Sequence, residues 1–194
     1  MKSDCAVLIT AAGLSGRMVV SKALLKWNEE MNFLQKIIST YTSFGCNEII
    51  VTLNEGDYAV FNTFASSSVH FILNSQPQLE RMYSIQLGLQ AIKNSSYCFI
   101  QCIDNPFIST VLLEEIYQHK SQESYVNPAY HGENGHPVLI NAGIIEKICY
   151  LDITKLHLSE VLKKFPRKKV VVENPEILYN INTMAEYQKL VIGY

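Results

Sequence analysis

A short run of small and cationic residues follows the first apolar segment of the chain. Residues 10–22 read TAAGLSGRMVVSK, so Arg17 and Lys22 lie in the same segment as two glycines. Small residues let backbone N–H groups approach a ligand closely, and backbone donors beside fixed positive charge suit a polyphosphate. Neither G-x-x-x-x-G-K-[ST] nor G-x-G-x-x-G is present. An ordinary strand-to-helix turn with two exposed cations is therefore the alternative interpretation.

An acidic group follows a second apolar segment. Residues 97–103 read YCFIQCI, the pattern of a strand buried on both faces, and Asp104, Asn105 and Pro106 come directly after it. A carboxylate at the end of a central parallel strand can hold a hard cation such as Mg²⁺, which takes one or two protein carboxylates plus substrate phosphates. The alternative is that Asp104 only caps the turn.

These two segments belong to a repeating pattern of apolar runs and amphipathic stretches. Strands are predicted at residues 5–10, 48–53, 69–73, 97–103, 124–126, 137–140 and 170–172. Helices are predicted at residues 31–41, 58–64, 82–92, 109–119, 142–149, 157–165 and 183–190. Continuous apolar strands that alternate with helices predict an α/β protein with a mostly parallel sheet covered on both faces. Ligands of such folds bind beyond the carboxyl ends of the strands, where both polar segments lie.

Composition narrows the classes of protein to consider. The chain has 194 residues, 48% of them hydrophobic and 18% charged, which predicts a single globular domain over residues 1–194. A net charge of -2 gives no general attraction to nucleic acid or to an anionic membrane, and no apolar run approaches the roughly 20 residues of a membrane span. Five widely spaced cysteines without C-x-x-C predict reduced core residues in a cytoplasmic protein and argue against zinc.

The motifs together resemble one family. Residues 11–22 resemble the signature A-A-G-x-S-x-R-M-G-x-x-K of the MobA-like nucleotidyltransferases, which include the molybdenum-cofactor cytidylyl- and guanylyltransferases and sugar-nucleotide relatives. Asp104 and Pro106 match the family's D-x-P element, whose aspartate binds the metal. The resemblance implies a three-layer Rossmann-like nucleotidyltransferase fold. It also implies transfer of a nucleoside monophosphate to a phosphorylated acceptor, release of pyrophosphate, and Mg²⁺ or Mn²⁺ as cofactor.

Three further segments extend the resemblance over nearly the whole chain. Residues 84–89 (SIQLGL) resemble the family's S-I-x-x-G-L helix start, residues 135–139 (GHPVL) resemble a segment of its cytidylyltransferase branch, and residues 180–183 (NINT) resemble its D-I-D-T element. The matched positions imply catalytic roles for Arg17, Lys22 and Asp104, and nucleotide contacts at Ala11, Ala12, Gly13, Ser15, Asn74 and Ser84. They imply that His136 binds the acceptor or orders its loop, and that Asp104 and Asn182 hold the metal.

The choice of nucleotide and acceptor also follows from the resemblance. GTP-using relatives tend to have a glycine where this chain has Ala12, and residues 135–139 match the CTP-using branch. The resemblance thus implies CTP in preference to GTP, molybdopterin as acceptor and a molybdoenzyme as protein partner. A sugar or alcohol phosphate is the alternative acceptor. The alternative to an efficient enzyme is a module of the same fold with weakened catalysis that binds a nucleotide or cofactor.

Departures from the family pattern motivate that last alternative. Val19 replaces a glycine of the first loop, Glu80 and Arg81 stand where a glycine usually precedes the helix, and Asn182 replaces an aspartate. An amide oxygen can bind a cation but brings no negative charge, so Asn182 predicts weaker metal binding. Outside the family pattern, residues 163–169 (KKFPRKK) carry five cations. They predict a solvated helix end and turn, with an anion-binding patch or docking surface as the alternative.

Overall fold

The computed structural model describes residues 2–13, 18, 20–152 and 156–192. The strands in this part of the chain are Lys2–Ala11 (β1), Cys46–Leu53 (β2), Val69–Leu73 (β3), Tyr97–Cys102 (β4), Tyr125–Tyr130 (β5), Glu133–Asn134 (β6), Val138–Asn141 (β7) and Arg167–Val171 (β8). They form one sheet in the order β3-β2-β1-β4-β7-β5-β6, with β8 paired to β5. Strands β3, β2, β1 and β4 pair in parallel, and β7 joins β4 and β5 antiparallel.

Helices connect and cover these strands. Their bounds are Phe33–Phe44 (α1), Glu55–Phe61 (α2), Glu80–Leu89 (α3), Thr110–Tyr117 (α4), Ala142–Cys149 (α5), Leu158–Leu162 (α6) and Met184–Tyr187 (α7). A π-helical segment, Gln188–Ile192, continues α7. Helix α1 illustrates how local sequence sets these bounds. Asn32 and Gln35 form a reciprocal capping box at its start, and Gly45 ends it in the left-handed conformation with φ of 99°.

The alternation of side chains along β1 explains the layers. Val7 and Ile9 point to one face, where they pack in a core with α1 and α4, whereas Ala6 and Leu8 point to the other face, where α3, α5 and α6 pack. Gly88 of α3 lies so close to β1 that an added Cβ would approach Leu8 Cδ1 to 2.2 Å. Both faces of β1 are therefore covered, which confirms the three-layer α/β fold with a mostly parallel central sheet.

The structure corrects several predicted boundaries. The helix predicted at residues 58–64 begins earlier, at Glu55, because the Asn54 side chain accepts a hydrogen bond from Asp57 N at 3.0 Å and caps it. The strand predicted at residues 124–126 extends to Tyr130 and turns into β6, a strand that the sequence pattern did not indicate.

The largest correction concerns the basic segment at residues 163–169. Its second half, residues 167–169, belongs to β8 and pairs in parallel with β5, so the predicted helix end and turn is wrong there. These three cationic side chains are exposed while their backbone lies in the sheet. Apolar periodicity is the signal for a half-buried strand, and the three exposed cations that begin β8 give none, so the strand predicted at residues 170–172 covered only its valine end.

No helix in the described ranges is long and apolar enough to cross a membrane. The fold places the two polar segments of the sequence side by side. Strands β1 and β4 are parallel neighbours with Thr10 opposite Cys102, and Ile103 N donates to Thr10 O at 3.2 Å. The loops that follow these strands therefore leave the sheet at the same edge.

Candidate functional site

A cleft of about 290 Å³ opens at this edge of the sheet, between the ends of β1 and β4 and the start of α3. Most of the residues singled out from the sequence line it, namely Ala11, Ala12, Gly13, Lys22, Ser84, Asp104 and Asn182. Arg81 lines it too, although the sequence indicated this residue only as a departure from a pattern. The structure thus brings together residues that are far apart along the chain.

Lys22 is aimed into the cleft by the turn that carries it. Ser21 accepts a hydrogen bond from Ala23 N at 3.2 Å and so caps the 3₁₀ turn Lys22–Leu24. The same hydroxyl donates to Asp57 Oδ2 at 2.6 Å, which ties the turn to α2. Asp57 is buried. The motifs in the sequence did not indicate this supporting residue, whose only signal is an acidic side chain in the first turn of a capped helix.

Two cations converge on one carboxylate oxygen. Asp104 Oδ2 lies 3.8 Å from Lys22 Nζ and 3.5 Å from Arg81 Nη2. The side chains of Asp104 and Lys22 are largely buried, whereas that of Arg81 is 57% exposed. Charges held this close together and largely out of water interact more strongly than exposed pairs, and they are in place before a ligand arrives. The cleft therefore offers a cationic surface beside the Asp104 carboxylate.

The C-terminal part of the chain contributes Asn182 to the same place. Ile181 N donates to Asp104 O at 2.8 Å, and Lys22 Nζ donates to Asn182 Oδ1 at 2.8 Å. On the other side, Asn182 N donates to Glu186 Oε2 at 2.7 Å, a hydrogen bond that lowers the pKa of Glu186. Backbone and side-chain contacts thus hold the Asn182 amide beside Asp104.

Asn105 anchors that C-terminal segment to the end of β4. It is fully buried, and its Nδ2 donates to Tyr179 O at 2.6 Å and to Glu176 O at 3.2 Å. A buried amide that satisfies carbonyl groups of a distant loop fixes that loop in place. The sequence analysis assigned no role to Asn105, since a polar residue in a turn has many local explanations.

The oxygens around Asp104 fit a divalent cation. Asp104 Oδ1 is buried and has no hydrogen-bond partner within the described residues. The Asn182 amide oxygen lies nearby, because Lys22 Nζ contacts both this oxygen and Asp104 Oδ2. No group of three or more His, Cys, Asp or Glu side chains able to hold a metal occurs in the described part of the chain. One carboxylate and one amide suit Mg²⁺ or Mn²⁺ only if phosphates and water supply the remaining ligands.

Ser84 and Asn74 form a connected pair at the wall of the cleft. Asn74 Nδ2 donates to Ser84 Oγ at 2.9 Å, and Asn74 Oδ1 accepts from Gln76 N at 2.8 Å. Ser84 lines the cleft. Asn74 is buried and is not one of the cleft's lining residues. Asn74 therefore orients the serine hydroxyl, which is the group that faces the open space.

His136 lies away from this cleft, in a second cavity of about 610 Å³ on the other side of Arg81. Burial lowers the pKa of His136, the charge of Asp104 raises it, and the charge of Arg81 lowers it. The cavity is lined mainly by apolar side chains, among them Met82, Ile85, Ile100, Val138, Leu158 and Leu162. Asn127, His157, Lys163 and Arg167 add polar groups. Two neighbouring cavities of different chemistry are thus present.

Residues 14–17 and 19 of the first loop fall outside the described residues, and three of them were singled out from the sequence. These are Ser15 and Arg17, for which the resemblance implies nucleotide-binding and catalytic roles, and Val19, which replaces a family glycine. Met18 is described and is buried at the wall of the cleft. The part of the loop that contacts the cleft in the described residues is therefore formed by residues 11–13, Met18 and Lys22.

Comparison with known proteins gives consistent results. The MobA-like NTP transferase domain family matches residues 7–169. The chain is 26% identical over 185 residues to molybdenum cofactor cytidylyltransferase of Escherichia coli (strain K12), covering 95% of this chain and 93% of the relative. It is 28% identical over 208 aligned positions to a probable molybdenum cofactor guanylyltransferase of Clostridium perfringens (strain SM101 / Type A), covering 98% of this chain and 97% of the relative.

Solved structures show the same fold. Rv0371c from Mycobacterium tuberculosis H37Rv superposes with a TM-score of 0.80 at 17% identity, covering 99% of this chain and all of that one. Its complex with manganese gives a TM-score of 0.78 at 16% identity, with 98% of each chain covered. The family match covers most of the chain, including the first loop and Asp104. The chain therefore belongs to the MobA-like NTP transferase family and is a nucleotidyltransferase.

Proposed function

We propose that the protein transfers CMP from CTP to a phosphorylated acceptor of the molybdopterin type and releases pyrophosphate. The observation that carries the proposal is the cleft at the ends of β1 and β4, where Lys22 and Arg81 both lie within 4 Å of Asp104. Two cations and one carboxylate beside small loop residues suit a triphosphate and its cation. The larger and mainly apolar second cavity suits the acceptor.

In this proposal the triphosphate lies along the first loop. Ala11, Ala12 and Gly13 expose backbone to the cleft, and an added Cβ on Gly13 would have no atom of the described residues within 4 Å. This open space lets the phosphates approach the backbone. Lys22 neutralises charge on the phosphates and on the departing pyrophosphate. Ser15 and Arg17, in the undescribed part of the loop, are proposed to act on the same phosphates.

Ser84 is proposed to bind the nucleoside part of the substrate. Its hydroxyl faces the cleft from the first turns of α3, and Asn74 fixes its orientation. The sequence motif around Ser84 resembles the family segment near the base and ribose, so a nucleotide that extends from Lys22 to Ser84 would fill the cleft. The roles proposed for Ser84 and Asn74 therefore rest on their positions at the cleft and on the sequence motif around Ser84.

A divalent cation, when bound, would neutralise charge on the phosphate oxygens. Asp104 and Asn182 are proposed to hold it, because Asp104 Oδ1 is an unpartnered buried oxygen among the described residues and the Asn182 oxygen lies nearby. The manganese complex of the structurally similar Rv0371c supports this choice of ion. Mg²⁺ and Mn²⁺ are both candidates, since they accept the same oxygen ligands.

The chemistry needs positioning more than proton transfer. A phosphate oxygen of the acceptor attacks the α-phosphorus of CTP, the bond from that phosphorus to the bridging oxygen of the β-phosphate breaks, and pyrophosphate leaves with the electron pair. The nucleophile is already an anion, so no strong general base is required. Fixed cations that face the reacting phosphates therefore account for most of the catalysis.

CTP is preferred over GTP in this proposal because of Ala12 and of residues 135–139, both of which resemble the cytidylyltransferase branch. The relatives include one cytidylyltransferase and several probable guanylyltransferases at similar identity. A direct comparison of nucleotides is therefore the deciding measurement. Molybdopterin as acceptor and a molybdoenzyme as recipient of the product are proposed on the same grounds.

The test is pyrophosphate release from CTP, GTP, ATP and UTP with Mg²⁺ or Mn²⁺, each paired with molybdopterin, a sugar phosphate or an alcohol phosphate. We expect CTP with molybdopterin to give the highest kcat/KM. Turnover only with a sugar or alcohol phosphate would identify the alternative acceptor class. Tight nucleotide binding without turnover of any pair would contradict the proposal and identify a binding module, the outcome favoured if the neutral Asn182 cannot support the metal.

A further inference from the structure

Arg81 lies at the boundary between the cleft and the second cavity. Three residues line both spaces, Glu80, Arg81 and Cys102. Arg81 is the one cation among the described residues that does so. A group transferred from a ligand in one space to a ligand in the other must pass this boundary, so a cation there faces both reactants.

The backbone before Arg81 has an unusual conformation. Glu80 has φ of 64° and ψ of -170°, a region that glycine occupies freely and other residues rarely adopt. Arg81 follows in the first turn of α3. The chain thus keeps a glycine-type turn while it carries two large charged side chains there, and strain of this kind is found where surrounding structure holds a functional segment in place.

The contacts of Arg81 leave its guanidinium able to bind a ligand. Nη2 lies 3.5 Å from Asp104 Oδ2, a long contact, and Nη1 donates to Cys102 Sγ at 3.5 Å. Cys102 is buried, and a thiol sulfur is only a weak acceptor. A guanidinium has five N–H donors in a planar fork that matches phosphate oxygens. More than half of the side chain is exposed.

We propose that Arg81 binds the phosphate of the acceptor and holds it against the α-phosphate of the nucleotide. The inference rests on the proposed function and adds the residue that joins its two cavities. Asp104 holds one edge of the guanidinium in place, and the acceptor phosphate replaces the weak thiol contact on the other. The cation also offsets the repulsion between the anionic nucleophile and the triphosphate, which opposes the attack that forms the new oxygen–phosphorus bond.

Kinetics of three variants test this inference. Arg81→Met keeps the apolar stem and removes the charge, Arg81→Lys keeps the charge and removes the fork, and Lys168→Met removes an exposed cation of β8 that lines neither cavity. We expect Arg81→Met to raise KM for the acceptor roughly 10- to 100-fold while KM for CTP changes less than about threefold. Arg81→Lys should recover part of the loss, and Lys168→Met should match the wild type.

Equal rises in both KM values, or no rise in either, would overturn the assignment of Arg81 to the acceptor. Thermal unfolding of each variant identifies a loss that comes from misfolding. If Arg81→Met unfolds early, the more conservative Arg81→Lys decides the matter. If Arg81 had only a structural role, its variants would not change the KM for the acceptor more than the KM for CTP. Arg81→Lys would also not differ from Arg81→Met because of the shape of its cation.

Binding without turnover separates failure of this inference from failure of the proposed function. The probe is phenyl phosphate, an aromatic phosphate monoester, titrated by calorimetry into the wild type, Arg81→Met and Lys168→Met. We expect about tenfold weaker binding only in Arg81→Met. If the wild type turns over no substrate pair but this difference is seen, the proposed function fails and the Arg81 assignment stands. If phenyl phosphate binds equally to all three, or to none, the assignment is overturned.

Discussion

The two cavities share a wall but differ in what they can bind. The cleft at the ends of β1 and β4 holds Lys22, Arg81 and Asp104 within a few ångströms of one another. The second cavity is about twice as large and is lined mainly by apolar side chains from α3, α6, β4 and β7. Clustered charges favour a polyanion with its cation, whereas a larger cavity whose apolar walls also carry polar and cationic groups favours a larger organic molecule.

This difference follows from the sheet. On the parallel side, strand ends and their loops meet at one edge, so backbone groups and charged side chains cluster there. On the mixed side, β7 runs antiparallel to both β4 and β5, and β7 and β5 present apolar side chains to α3 and α6. If each cavity takes one substrate, variants of the cleft should affect the nucleotide and variants of the second cavity should affect the acceptor.

The largest effect is expected for Asp104→Asn. This change removes the carboxylate that lies within 4 Å of both Lys22 and Arg81, so we expect kcat to fall roughly 10²- to 10³-fold. The measurement is pyrophosphate release at saturating CTP and acceptor. Asp4→Asn is the control, because Asp4 pairs with Lys120 and Tyr117 outside both cavities. Wild-type activity in Asp104→Asn would mean that the cleft is not the catalytic site.

Lys22→Met should weaken CTP binding about 10- to 100-fold and leave KM for the acceptor nearly unchanged. Lys22 is largely buried and directed at the cleft, and a charge-assisted contact to phosphate is stronger there than at an exposed site. Calorimetry with CTP and Mg²⁺ measures the change. Lys147→Met, an exposed lysine at the end of α5, should bind CTP like the wild type. An equal loss for CTP and acceptor would argue against separate cavities.

Val138→Phe tests the other side of the comparison. Val138 is buried in β7 and lines the second cavity, so a larger side chain should fill space that the acceptor needs. We expect KM for the acceptor to rise about tenfold and KM for CTP to stay within about twofold. Some loss of thermal stability is expected from overpacking. Val171→Phe on the exposed face of β8 is the matched control, and a similar acceptor KM in both variants would contradict the assignment.

The sequence predicted the parallel side of the molecule better than the mixed side. The strands at residues 5–10, 48–53 and 69–73 are apolar and regular, so their pattern indicated both their place and the edge where Asp104 and the first loop meet. Strand β8 is largely exposed and cationic, and β6 has two residues. The strand predicted at residues 170–172 therefore covered only the valine end of β8, and β6 has no apolar pattern to detect.

The site was predictable where a motif marks it and not where contacts join distant segments. Lys22, Asp104 and Ser84 were identified from their motifs and lie in one cleft. Asn105 and Asp57 were missed because each acts through contacts with a segment far along the chain. Arg81 was recognised only as a departure from the family pattern, in which a glycine usually precedes the helix. No sequence pattern shows that a residue borders two cavities.

The smallest effect is expected for Asn182→Asp, which sharpens the comparison within the cleft itself. A carboxylate at position 182 would be the second carboxylate at the proposed metal site, beside Asp104. We therefore expect the Mn²⁺ concentration that half-saturates the site in the presence of CTP to fall several-fold, up to about tenfold. Glu186 accepts a hydrogen bond from Asn182 N and opposes part of this gain by repulsion, whereas Lys22 beside the amide offsets that repulsion.

Electron paramagnetic resonance of Mn²⁺ in the presence of CTP measures that change directly, without turnover. Asn180→Asp is the matched control, because it adds the same charge two residues away at a side chain that hydrogen bonds to Leu178 O and does not line the cleft. If both variants shift Mn²⁺ binding equally, the effect is general charge and Asn182 does not face the ion. If only Asn182→Asp does so, the neutral amide limits metal affinity in this chain, and Lys22 and Arg81 neutralise phosphate charge that a more tightly bound metal ion would otherwise neutralise.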